Sequence, residues 1–293
     1  MKTDFNNKLK TYLKHPGSLA VFLITNLAAF LTIFVLGFIV VYIVVKGVPH
    51  LTPSLFAWEY NSENVSMLPS IINTLLLTAL ALIIATPLGI FAAIYMVEYA
   101  KAGNKIVGIV RVTAETLSGI PSIVYGLFGM LFFVSTCKFG YSLLSGALTV
   151  AIMVLPTIMR TTEEALIAVP KNFREGSFGL GAGKLRTVFR IVLPSAVPGI
   201  LAGVILAIGR IVGETAALIY TAGTVPGIPT TKLAGVPIFD MMSSGRTLAI
   251  HMYALLNEGL YMEQAYATAV VLLVMVLLIN ALSAFIAKKF TRS

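Results

Sequence analysis

Residues 170–194 read PKNFREGSFGLGAGKLRTVFRIVLP. This charged, glycine-punctuated stretch stands between long apolar runs. Pro170 suits the start of a short helix, because its missing N–H is tolerated in the first turn. Gly179, Gly181 and Gly183 allow the backbone to bend, and a second amphipathic stretch, 184–193, leads through Leu193-Pro194 into the next apolar run. The substring GLGAGKL (179–185) imitates a phosphate-binding loop but fails on spacing. Such a loop needs Gly five residues before the Gly-Lys pair and Ser or Thr after it, where this chain has Phe178 and Leu185. Any energy from nucleotide is therefore expected to come from a partner chain, and no catalytic residues are assigned.

Outward from this stretch, the 293 residues are 58% hydrophobic and 11% charged, with a mean hydropathy of +0.93. Soluble domains carry roughly 25% charged residues, so the composition indicates an all-α polytopic membrane protein. A span needs about 20 mostly apolar residues, and six runs qualify: 19–45, 71–97, 113–136, 141–160, 195–222 and 266–287. The first is too long for the apolar region of a signal peptide, about 7–15 residues, and no small-residue cleavage site follows it. The third and fourth are separated by the tight CKFGYS turn, which predicts a helical hairpin. Pro87 and Pro121 predict kinks or unwinding.

The net charge of +9 comes from loops, so it reads as membrane flanks rather than a nucleic-acid surface. Sixteen Lys and Arg lie in the N-terminal segment, the 98–112 and 160–190 loops and the tail. Only Lys46, Lys138, Lys232 and Arg246 lie in the alternate loops. The positive-inside rule then places both termini in the cytoplasm. The outer connection 223–265, rich in Gly, Pro and Thr at first, is expected to hold short surface or re-entrant helices. A single cysteine, Cys137, excludes an internal disulfide. His15, His50 and His251 show no metal-ligand spacing, and no cofactor motif is recognised.

The 170–194 stretch resembles the EAA loop of ABC importer membrane subunits, of form EAA-x3-G-x9-I-x-LP. Glu175, Gly181, Ile191, Leu193 and Pro194 fall at its fixed positions, with Gly176 and Ser177 in place of the alanines. The resemblance implies a coupling helix that docks on an ATPase subunit, with Glu175, Gly176, Gly181, Ile191, Leu193 and Pro194 as coupling residues. It also implies the type I importer fold: residues 1–70 as an N-terminal segment, first span and outer loop, 71–287 as the transmembrane domain with its loop at 160–194, and 288–293 as a cytoplasmic tail.

Two further stretches, ETLSGIPSIVYGLFG (115–129) and GRIVGETAALIYTAG (209–223), resemble signatures of phosphate-importer permeases, the A type more than its C-type paralogue. That resemblance implies a bacterial inner-membrane location and passage of phosphate. It also implies a paralogous permease subunit (PstC-like), a dimer of ATP-binding subunits (PstB-like) and an external phosphate-binding protein (PstS-like). Permeases for molybdate or sulfate, and a secondary transporter or channel, are the alternatives.

Arg210 and Glu214 lie inside the fifth run. A charge in hydrocarbon costs on the order of 3 kcal/mol even on the lenient insertion scale. On a continuous helix they share a face with Ala217 and Thr221. Two accounts are open: a structural ion pair, or an oxyanion gate in which Arg210, Glu214 and Thr221 line the substrate pathway. The spacings Gly199/Gly203 and Gly209/Gly213 suit close helix approach, either at a seam with a second permease or within this chain.

Overall fold

The computed structural model describes residues 16–101, 103–233 and 236–291. His15, the four N-terminal lysines and Arg292 lie outside them. Helix α1 (Pro16–Gly47) is followed by 3-10 turns at Val48–His50 and Pro53–Phe56, then α2 (Leu68–Ile94), which continues as a π-helical turn, Tyr95–Tyr99. Next come α3 (Lys105–Ser118), α4 (Ser122–Gly129) with a π-helical extension Met130–Thr136, and α5 (Leu143–Ala168). The loop that opened the sequence reading forms α6 (Lys171–Gly179), a single turn α7 (Lys184–Thr187) and a π-helical turn Val188–Val192 that enters α8 (Leu193–Val212). The chain closes with α9 (Ala216–Ile219), β1 (Thr230–Leu233), β2 (Val236–Phe239), α10 (Leu248–Glu258) and α11 (Met262–Thr291).

Among the described residues, five helical stretches are long and apolar enough to cross a membrane: 17–50, 68–99, 143–168, 184–212 and 262–285. The third expected run, 113–136, is a pair, α3 and α4 with its extension, bent by 104°. Pro121 has no amide to donate, and a residue before proline is pushed out of helical conformation. The carbonyl of Leu117, which would have faced the missing amide, accepts the Tyr125 hydroxyl at 2.8 Å and the Ile120 amide at 3.1 Å. Pro87, by contrast, sits within uninterrupted helix. The predicted hairpin is present, its turn held by positive φ at Lys138 and Gly140. The fourth run extends as helix to Ala168, because Arg160, Glu163 and Glu164 find charged partners there. The fifth stops at Val212.

Helix α5 is the centre of the bundle. Two-thirds of its most apolar window is buried, against none for α1, and it packs on α2, α8, α4 and α3. Small residues permit this. A Cβ on Gly199 would lie 2.6 Å from that of Ala165, and one on Gly203 would strike the Thr161 hydroxyl. The Gly199/Gly203 spacing therefore serves packing of α8 on α5 within this chain. Nothing approaches Gly209. Leu77, Ala81, Val150, Met153, Val154 and Ile211 make the adjoining core.

The connection 223–265 differs in part from expectation. Its helical portion is α10, but its Gly- and Pro-rich part forms an antiparallel hairpin pairing Thr230 with Phe239 and Leu233 with Val236. Alternating β-branched residues and prolines disfavour helix there. This loop is tied to α2: Asn73 Nδ2 donates to the carbonyls of Gly227 and Arg246, at 2.8 and 3.2 Å, and Thr74 Oγ1 accepts from the Leu248 amide at 2.8 Å. Buried Arg246 donates to the Thr224 carbonyl at 2.9 Å and stacks its guanidinium on the Tyr60 ring.

Candidate functional site

Two interrupted helices meet near Arg210. The first break lies between α3 and α4, the second between α8 and α9. Helix α4 packs on α9, where a Cβ on Gly126 would come within 2.8 Å of Ala217 Cα. Arg210, in the last turn of α8, is half-buried and within electrostatic reach of the Tyr125 hydroxyl on α4. Among the described residues, no carboxylate forms an ion pair with Arg210. Discontinuous helices of this kind put backbone dipoles and polar groups inside a membrane protein, where they line a cavity or path.

The expected shared face of Arg210, Glu214, Ala217 and Thr221 does not form, because the helix ends between the first two. Gly213 weakens the helix, and Glu214 is captured by the next turn. Its buried Oε1 accepts the Ala217 amide at 3.0 Å, so the carboxylate caps α9. Thr221 is fully buried. Its hydroxyl donates to the Ala217 carbonyl at 2.8 Å and its methyl faces Gly129. Among the described residues neither Arg210 nor Glu214 forms an ion pair, but the Glu214 carboxylate is committed to the Ala217 amide.

A charged cleft of about 460 Å³ went unnoticed in the sequence. Arg111, Glu115, Arg160, Glu163 and Glu164 line it, with Pro156 and Thr157 on its α5 wall. Arg111 Nε donates to buried Glu163 at 2.7 Å, clamping α3 to α5, while Arg160 reaches Glu164 at 3.6 Å and Glu115 at 4.0 Å. Arg111 and Arg160 counted as loop charges in the sequence. The i,i+3 and i,i+4 spacing of Arg160, Glu163 and Glu164 was the available signal of a helix face.

In the 170–194 loop, Gly181 holds φ at +81°, a left-handed conformation that ends α6. Its amide reaches the Phe178 carbonyl at 2.9 Å and the Ala182 amide reaches that of Ser177 at 3.1 Å. Glu175 and Gly176 are exposed on α6, Ile191 is half-buried in the π-helical turn, and Leu193 and Pro194 open α8. The glycine-rich decoy is thus a helix terminus and turn. Around it Leu180 is 91% exposed, beside exposed Phe173, Phe178 and Leu185.

The match to known proteins follows the same geometry. Residues 85–292 match the family described as binding-protein-dependent transport system inner membrane component. A probable ABC transporter permease protein, YqgI of Bacillus subtilis, is 34% identical over 263 residues, 85% of this chain and 89% of that one. The phosphate transport system permease protein PstA of Pasteurella multocida is 38% identical over 198 residues, covering 67% and 70%. The crystal structure of a bacterial ABC transporter involved in the import of the acidic polysaccharide alginate shares the fold, with a TM-score of 0.64 at 16% identity, over 96% of this chain and 99% of that one. Two interrupted helices, a charged loop with its glycine-ended helix and a family match across most of the chain agree: this protein belongs to the binding-protein-dependent transport system inner membrane components, the multi-pass permease subunits of type I ABC importers.

Proposed function

We propose that this chain is the A-type permease of a phosphate importer and forms half of its translocation path. The observation that carries this is Arg210: a half-buried guanidinium without a carboxylate partner at the meeting of two interrupted spans. Arg does not lose its proton, and its planar fork suits two oxygens of one phosphate. Relatives such as the PstA protein of Pasteurella multocida bear the name of the same substrate. Glu214 acts by holding the helix break open, not by neutralising Arg210.

The exposed apolar residues of the loop, Leu180 foremost, support a docking role for α6 on an ATPase subunit, since such a patch on a charged loop marks a contact surface. Nucleotide then binds to that partner. A paralogous permease completes the path, and an external binding protein delivers the anion. The bacterial cytoplasmic membrane is the location, both termini inside, a reading that the basic loops support.

The test is uptake of radiolabelled phosphate in cells lacking this chain, with and without its return, challenged with excess molybdate or sulfate. Restoration that neither anion inhibits supports phosphate. Restoration blocked by one of them transfers the assignment to that oxyanion.

A further inference from the structure

Helix α6 is covalently continuous with α5 on one side and, through the turns at 180–192, with α8 on the other. It has no such link to α2, yet it grips that helix. Arg174, midway along α6, donates from Nε and Nη2 to Glu98 Oε1 at 3.0 and 2.6 Å. The same guanidinium donates to the carbonyls of Val169 and Leu166, each at 2.8 Å. The two side chains are only 17% and 8% exposed. Glu98 lies in the π-helical turn that ends α2, and Lys184, beyond the loop, sits over the ring of Tyr99 in that turn at 5.2 Å. Single π-helical turns of this kind recur at functional sites.

At its other end α2 holds the outer loop through Asn73 and Thr74. One continuous helical element, from Leu68 to Tyr99, therefore connects the cytoplasmic helix to the outer connection 224–248. A backbone turn is soft, whereas a guanidinium held by four hydrogen bonds is stiff and transmits both push and pull.

We propose that the Glu98–Arg174 ion pair is a positioning strut that makes α2 the rod by which movement of α6 reaches the outer loop. This rests on α6 being the coupling helix. Arg174 divides its bonds between two tasks: those to Leu166 and Val169 anchor α6 to α5, and those to Glu98 carry motion into α2. Glu98→Gln removes the charge of the second task while leaving the first in place.

The experiment uses the complete transporter in proteoliposomes and reads phosphate moved per ATP hydrolysed, together with the amount of ATPase that copurifies. With Glu98→Gln the expected result is wild-type ATPase retention and a ratio lowered about ten-fold, within the span of ordinary site-to-site coupling. Glu98→Asp, which keeps the charge, is expected to retain most of the ratio. An unchanged ratio in Glu98→Gln overturns the strut. Should Glu98→Gln fail to assemble, a Glu98→Cys, Arg174→Cys pair in a Cys137→Ser background decides. Joining the two thiols with a short bifunctional reagent restores the ratio if the strut is right, and a joined but still uncoupled protein overturns it. Failure of the coupling-helix assignment is distinct, because the wild-type chain would then not retain the ATPase at all.

Discussion

The carboxylate of Glu214 accepts the Ala217 amide at 3.0 Å and so starts a new helical turn instead of pairing with Arg210. The two charged residues inside one apolar run have separate tasks: one breaks the helix, the other presents a cation at the break.

Their mutants are therefore expected to differ. Arg210→Gln abolishes phosphate uptake while the protein accumulates and assembles normally, and Arg210→Lys restores only part of it, because an ammonium lacks the fork. Glu214→Gln keeps an acceptor for the Ala217 amide and retains most uptake, whereas Glu214→Ala loses the cap, at a cost of about 1 kcal/mol, and impairs it. Uptake and immunoblotting of membranes check all four. Normal transport by Arg210→Gln would remove it from the path.

Gly181 has a positive φ, which costs an ordinary L-residue about 1–2 kcal/mol. Gly181→Asp is expected to weaken ATPase copurification, and Gly181→Asn, better tolerated in this conformation, to weaken it less. Gly176, with open space at its Cβ position, is expected to accept Ala with little effect.

The two glycine pairs of α8 make a stability contrast. Gly203→Ala forces a methyl against Thr161 and is expected to destabilise the purified protein by about 1–3 kcal/mol, the usual cost of overpacking. Gly209→Ala, in open space, is expected to change the melting temperature little. Equal melting temperatures would show that α8 and α5 lie further apart than described.

Beneath the 224–248 connection, burial first and the Arg246 charge second lower the His251 pKa to about 4. Folding therefore holds the ring neutral, while the unfolded chain, with a pKa near 6.5, takes up a proton as pH falls below that value. Stability is full above about pH 6.5 and declines toward pH 4, by about 3 kcal/mol across the window. Thermal melts from pH 7.5 to 5 should show this decline in the wild type and a flatter profile in His251→Gln. Parallel profiles would mean that His251 does not titrate differently on folding.

Topology is open to labelling. Met242, exposed in the outer connection, is expected to react as Met242→Cys, in a Cys137→Ser background, with a membrane-impermeant thiol reagent applied to intact spheroplasts. Protection there, with reaction only after lysis, would reverse the orientation.

Membrane class, the approximate spans, the tight turn before α5 and the charged loop with its Glu175–Pro194 spacing were all legible in the chain. Each depends on hydropathy or geometry summed over neighbouring residues, and the desolvation cost of a charge or a free amide enforces it locally. Tertiary structure decided the rest. Whether an apolar run continues as helix past Val212 depends on what is packed beside it. Here α4, through Gly126, supplies a surface for Ala217, and the broken turn recovers its bonds through Glu214. Identical Gly-x-x-x-Gly spacings diverged for the same reason, since only Gly199 and Gly203 meet a neighbouring helix. The Glu98–Arg174 pair, 76 residues apart, carries no local signal. Each partner reads as one more charge at the end of a span, and only the packing of α2 beside the end of α5 brings the carboxylate to the guanidinium.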